Sequence, residues 1–196
     1  MPEPATSKLD LEEIKDAIQT FPNLGRWKIF TCSELRPNGS PKRKWEETEI
    51  SELWDVGGNY AFLLPSELFK KSREIELDGP STKNIPRKIL FEFRPDPIEL
   101  NGRQWTVLYV GKTSNLSQRF HWHFSGAKKN SGGQVQHNLK KCGVCPSREA
   151  AVRLMEQEAL ICYRILDEDK QFANREMIEV NLWAKFNPPF NIKSER

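Results

Sequence analysis

Tyr109-Val110-Gly111-Lys112-Thr113, with Arg119 a short way beyond it, is the most informative run of this sequence. Before it, Trp105 to Val110 is an apolar run of β type. Gly111-Lys112 reads as a turn leading into a short polar helix, whose N-terminus Ser114 or Asn115 can cap. Upstream, Gly57-Gly58 leads into a second strand, Asn59 to Leu64, with Tyr60 near its centre. Downstream, His123 follows Arg119 by one helical turn, which sets both side chains on one helix face. Near the C-terminus, Glu179 is followed by Pro188 and by Asn191.

Outward from these segments, residues 1–52 read as an N-terminal extension. Thr6 or Ser7 can cap a helix running to about Phe21, with Leu11, Ile14 and Ile18 on one face. Arg26 to Cys32 reads as a strand, Pro37 to Pro41 as a turn, and Lys42-Arg43-Lys44-Trp45 as a basic loop. An insertion at about 65–104 separates the two tyrosine strands. It holds a helical start at Ser66 to Phe69, a Pro/Gly-rich loop, a strand from Lys88 to Phe93, and turns at Pro95-Asp96-Pro97 and Asn101-Gly102. Residues 125–134 are rich in Gly, Lys, Ser and Asn and read as a basic loop. Ser147 caps a helix to about Gln157, and Ala159 to Leu166 is a third strand. A last helix, Phe172 to Phe186, carries Met177, Ile178, Leu182 and Trp183 toward the core before Pro188-Pro189 ends it.

The composition suits a folded domain. Apolar residues make up 37% and charged residues 29% of 196, with six Trp and eleven Phe, which excludes a disordered chain. No run approaches the ~18 apolar residues of a membrane span. The first residues lack the basic-then-apolar layout of a signal peptide, so the expected compartment is the cytoplasm, with reduced thiols. Cys142-Gly143-Val144-Cys145 is half a zinc-ligand pattern, but no second paired knuckle completes it, so a plain turn bearing two thiols is expected. The net charge of +3 conceals an asymmetry. Residues 101–148 carry eight basic side chains and no Asp or Glu, whereas residues 1–100 carry 15 basic and 18 acidic ones. A stretch free of carboxylates suits a surface that meets phosphate. Lys128, Lys129, Lys140 and Lys141 are its candidate DNA contacts.

Taken together, the Tyr60 strand, Tyr109-Val110-Gly111, Arg119, His123 and the Glu179–Pro188–Asn191 spacing resemble the GIY-YIG nuclease family. The resemblance covers roughly residues 56–64 and 105–192. The first motif departs from the usual pattern, since Asn59 and Ala61-Phe62 replace the apolar neighbour and continuation. The interval from Tyr60 to Tyr109 is also longer than in compact members. The resemblance implies an α+β fold over residues 53–196, with a small three-stranded mixed or antiparallel sheet flanked by helices.

It further implies a Mg²⁺-dependent (or Mn²⁺-dependent) endonuclease that hydrolyses phosphodiester bonds in double-stranded DNA. In that reading Glu179 is the metal ligand, with Glu176 one turn earlier as fallback. Arg119 has the fork that can hold two phosphate oxygens, and Lys112 assists electrostatically. Tyr60 activates the water, with His123 accepting or relaying its proton. Tyr109 positions water or phosphate, and Asn191 fixes the final turn or orients the site. A stand-alone restriction-type enzyme is the first reading, with a cognate methyltransferase as partner. A palindromic target would need a homodimer or two sequential nicks. Two alternatives stay open: a repair or junction nuclease that recognises DNA shape, and a non-catalytic nucleic-acid-binding protein on the same fold.

Overall fold

The computed structural model describes residues 10–22, 27–31, 53, 56–69, 74–78, 88–92, 97–125, 134–166 and 172–191. In chain order they form α1 (Leu11–Thr20), β1 (Trp27–Thr31), β2 (Gly58–Pro65) with a 3-10 turn at Ser66–Phe69, β3 (Glu74–Asp78), β4 (Lys88–Glu92), β5 (Ile98–Leu100) and β6 (Arg103–Thr113). There follow α2 (Leu116–Ser125), α3 (Gln134–Lys141), α4 (Arg148–Glu158), β7 (Leu160–Ile165) and α5 (Phe172–Phe186). The fold is α+β.

Its main sheet has five strands in the order β1-β7-β2-β6-β5, with every neighbouring pair antiparallel. β3 and β4 form a separate two-stranded ribbon. The expected three strands are the central ones, β7, β2 and β6; the sheet is wider because both of their outer edges gain a partner. β1 lies along β7, from Trp27 opposite Arg164 to Thr31 opposite Leu160. β5 folds back on β6 through Asn101-Gly102, where both residues take positive φ (52° and 73°), as a tight hairpin demands. Each addition satisfies backbone groups that an exposed edge would leave open.

β2 is buried along its whole length, which explains why its sequence from Tyr60 on is continuously apolar rather than alternating. On one face, Tyr60, Phe62 and Leu64 pack with Leu116 and Phe120 of α2, Leu139 of α3 and Met155 of α4. On the other, Ala61, Leu63, Val107 and Val110 pack with Ile14 and Ala17 of α1 and with Ile178, Leu182 and Phe186 of α5. A bulge interrupts the β2–β6 ladder, so Phe62 faces Tyr109 while Leu63 faces Val107. Leu108 is the extra residue, and both it and Tyr109 reach the α2 face.

Several local expectations change. Asp10 caps α1, its carboxylate accepting from the Glu13 amide at 3.0 Å, whereas Thr6 and Ser7 lie outside the described residues. α1 docks through Asp16 and Glu13 on the guanidinium of Arg164, at 2.7 and 3.4 Å. Arg164 is only 1% exposed, so those carboxylates offset the cost of burying its charge. Residues of the N-terminal extension thus contribute a helix and a strand to the same sheet and core as the motif strands. Gly111 to Thr113 continue β6 rather than turning away from it. α3 was not anticipated. Met177 is 38% exposed rather than in the core, because Ile178 and Leu182 define the inner stripe of α5. The basic loop at Lys42 to Trp45 lies outside the described residues.

Candidate active site

The two motif tyrosines meet across adjacent strands. Tyr60 pairs with Gly111, and Tyr109 pairs with Phe62, so both tyrosines project from the α2 face of the sheet. Gly111 leaves the space the Tyr60 ring occupies. A Cβ there would lie 2.6 Å from Tyr60 Cζ, 2.7 Å from its hydroxyl and 2.9 Å from Tyr109 Cε1. The glycine is required for close approach by two rings, not for an unusual backbone angle.

α2 begins at the cap expected from the sequence, with Asn115 Oδ1 accepting from the Gln118 amide at 2.8 Å. Leu116, Phe120 and His123 recur at helical spacing and form its buried stripe. Arg119, on the same side, reaches between the two phenols. Its Nε donates to the Tyr60 hydroxyl at 2.9 Å, and one Nη donates to the Tyr109 hydroxyl at 3.4 Å. Burial works to lower the pKa of this guanidinium, but attraction to the two phenolic oxygens outweighs it and raises the pKa. Arg119 therefore stays charged.

His123 is fully buried, with Nε2 3.1 Å from the Tyr60 hydroxyl. Its ring packs edge-on against Phe62 at 4.7 Å and against Tyr109 at 5.5 Å. This apolar nest, and then the nearby charge of Arg119, push its pKa down to about 3. The ring is accordingly neutral. Arg119 can only donate, so the phenol hydrogen of Tyr60 has Nε2 as its acceptor, and the ring proton is assigned to Nδ1. Nδ1 is buried without a hydrogen-bond partner among the described residues. On that tautomer His123 accepts from Tyr60.

Gln136, on α3, was not anticipated. Its amide donates to the backbone carbonyl of His123, and its own Oε1 accepts from Arg148 Nε at 3.2 Å. It ties the last turn of α2 to α3 and α4. No sequence signal marks it, since a glutamine in a short amphipathic helix is ordinary.

Lys112, Glu179 and Asn191 form a second group, on the α5 side. Side chains alternate along β6, so Lys112 faces with Val110 and away from Gly111 and Tyr60. Its ammonium donates to Glu179 Oε2 at 2.8 Å and lies 3.0 Å from Glu176 Oε1. Burial works to lower the pKa of Lys112, but these two carboxylates outweigh it and raise the pKa. Asn191 mimics a neighbouring strand on β6: its Oδ1 accepts from the Val110 amide at 2.8 Å and its Nδ2 donates to the Val110 carbonyl at 2.6 Å. Beyond that clasp, Gly111 to Thr113 have no strand partner on this edge among the described residues. The two groups face opposite sides of the sheet and are joined along β6 and through Asn59 of β2, whose Nδ2 donates to the Arg175 carbonyl of α5 at 2.8 Å.

Oxygen donors of this kind suit a hard divalent cation. Two carboxylate oxygens one helical turn apart already converge on a single cationic nitrogen, and the donor set fits Mg²⁺ or Mn²⁺ with water completing the shell. Among the described residues no group of three or more His, Cys, Asp or Glu side chains could hold a metal. Cys142 and Cys145 sit in the turn between α3 and α4, and Cys162 belongs to the core on the other face of the sheet.

The basic stretch is more committed than its sequence implies. Arg103 pairs with Glu67 and Glu158, Arg148 with Gln136, and Lys112 with Glu176 and Glu179. Folding brings acids to it from outside the block. Lys140 is exposed and Lys141 half-buried in the last turn of α3, while Lys128 and Lys129 lie outside the described residues. No helix is long and apolar enough to cross a membrane among the described residues. No family model, curated relative or solved structure matches the chain.

Proposed function

We propose that this chain is a metal-dependent endonuclease of GIY-YIG type that hydrolyses phosphodiester bonds in double-stranded DNA. The observation that carries the reading is Arg119, which hydrogen-bonds both motif tyrosines while Tyr60 lies over Gly111 and against His123. An ordinary pair of core tyrosines has no need of a buried cation at both hydroxyls. The arrangement also joins the Tyr60 strand to the Tyr109 strand across the long insertion.

Tyr60 takes the proton of the attacking water as the water oxygen bonds to phosphorus and the leaving ester oxygen departs. The phenol first passes its own proton along the hydrogen bond to His123 Nε2, leaving a phenolate beside an imidazolium. Charge on the phenolate is then offset by Arg119 Nε–H and by the Nε2–H that His123 has gained. Tyr109 orients water or a phosphate oxygen, with its hydroxyl held by the same guanidinium. Arg119 can also turn its fork to the phosphoryl oxygens as their charge develops. Glu179, with Glu176 beside it, would hold Mg²⁺ or Mn²⁺ on the α5 side of β6, and the scissile phosphate must then sit at the end of that strand, where it could meet both the metal and Arg119. There the ion would supply charge neutralisation at the phosphoryl and leaving oxygens. Asn191 keeps the end of α5 on β6 and so fixes the distance between Glu179 and the tyrosines.

The restriction-type reading, with its methyltransferase partner and a dimer or paired nicks at a palindrome, belongs to the same proposal. Incubating supercoiled plasmid with Mg²⁺ and the wild type, Glu179→Ala or Arg119→Ala tests it. The wild type should cut, and both variants should fall by at least about a hundredfold. Discrete fragments would support restriction and a smear would support recognition of shape. Binding without cutting by the wild type would favour the non-catalytic alternative.

A further inference from the structure

Lys112 occupies a position made for a cation. Glu176 and Glu179 are three residues apart on α5 and therefore neighbours on one helix face. Their carboxylates place Oε1 and Oε2 at 3.0 and 2.8 Å from the same ammonium nitrogen. The side chains of Lys112, Glu179 and Glu176 are 27%, 22% and 51% exposed, so a hydrated ion can reach the carboxylates from solvent. A divalent cation and an ammonium cannot share these oxygens without strong repulsion at such separations. Mg²⁺ needs only one or two carboxylates and retains its waters, so departure of the lysine would leave a sufficient donor set.

We propose that Lys112 is the resident counter-ion of Glu176 and Glu179, and that a divalent metal binds by displacing it. Metal occupancy and lysine release are then one event. The released ammonium stays at the end of β6, one residue from Gly111, where it can meet a phosphate oxygen. Before metal arrives, the same ammonium offsets one of the two negative charges and is shared by both carboxylates. The inference rests on reading Glu179 as a metal ligand and adds that the ligand set on α5 is gated by a lysine of β6.

The test is a Mn²⁺ titration of the whole chain without DNA, read from the electron paramagnetic signal of free Mn²⁺. Lys112→Met and Lys112→Gln should bind Mn²⁺ about tenfold more tightly than the wild type, while Glu179→Gln loses the site. The glutamine variant covers the case in which the methionine disturbs folding. A second measurement follows acylation of Lys112 by mass spectrometry, which Mn²⁺ should accelerate in the wild type and not in Glu179→Gln. Equal or weaker binding in both lysine variants, with the site still lost in Glu179→Gln, overturns the displacement and leaves the metal assignment standing. Unchanged Mn²⁺ binding in Glu179→Gln overturns the metal assignment and the displacement with it.

Discussion

At the scale of single residues, the site depends on how Gly111, Tyr60, Arg119 and His123 share a small volume. Gly111→Ala should push both tyrosine rings, because the new methyl would lie under 3 Å from each of them. The expected cost is about 1–3 kcal/mol in denaturant unfolding, with loss of cleavage beyond what that destabilisation explains. His123 makes a pH prediction whose sign follows from its lowered pKa. The unfolded chain takes up a proton near pH 6.5, and the folded one does not until about pH 3. Between those values the unfolded state carries more protons, so stability is fully present above pH 6.5 and declines as the pH falls. The slope is about 1.4 kcal/mol per pH unit at most, and His123→Phe should flatten it. An unchanged pH profile in that variant would show that the ring is not neutral and buried as described. This cluster was half legible in the sequence. Tyr60, Tyr109, Arg119 and His123 could be picked out by spacing, but the burial of His123 depends on Phe62 and Tyr109, which no local pattern reveals.

At the scale of elements, β6 is the shared wall of both groups, and the chain after α5 holds it. Asn187 takes a left-handed conformation (φ 42°) at the end of α5, and its amide bonds back to Trp183 at 2.8 Å. This brings Asn191 to its two bonds with Val110. Asn191→Ala should cost about 1–3 kcal/mol, since it leaves both backbone groups of Val110 without these partners. Thermal or denaturant unfolding would measure it, and a neutral effect would refute the clasp. Elements whose ends carry distinctive residues were readable: the Ser147 and Asn115 caps, the Asn101-Gly102 turn and the limits of α5. α3 was not, because Gln134 to Lys141 is short and polar and is ordered by packing on α2 and α4. Nor was the run from Gly111 to Thr113, where a glycine that suggests a turn is needed for a ring above a straight strand.

At the scale of the whole molecule, strand partners distant in sequence decide the architecture. β1 pairs with β7, from opposite ends of the chain, and no periodicity in either strand encodes that choice. The buried Arg164 with Asp16 and Glu13 provides the specific contact, but it reads from sequence as one more surface charge. The same limit applies to the basic stretch: its freedom from acids is linear, and folding supplies carboxylates to Arg103 and Lys112. Its exposed end still makes a prediction. Lys140→Gln with Lys141→Gln should weaken binding to duplex DNA about equally for different sequences and lower the salt dependence by about one or two phosphate contacts. An unchanged slope in a filter-binding titration would remove α3 from the DNA interface.

In the proposed reading the Tyr60 hydroxyl, held between Arg119 and His123, does the chemistry. Tyr60→Phe deletes that oxygen and keeps the ring over Gly111, so plasmid cleavage with Mg²⁺ by this variant is the most direct measurement. The expected result is a native-like melting profile with the cutting rate reduced by about a hundredfold or more. Cutting at the wild-type rate would contradict it.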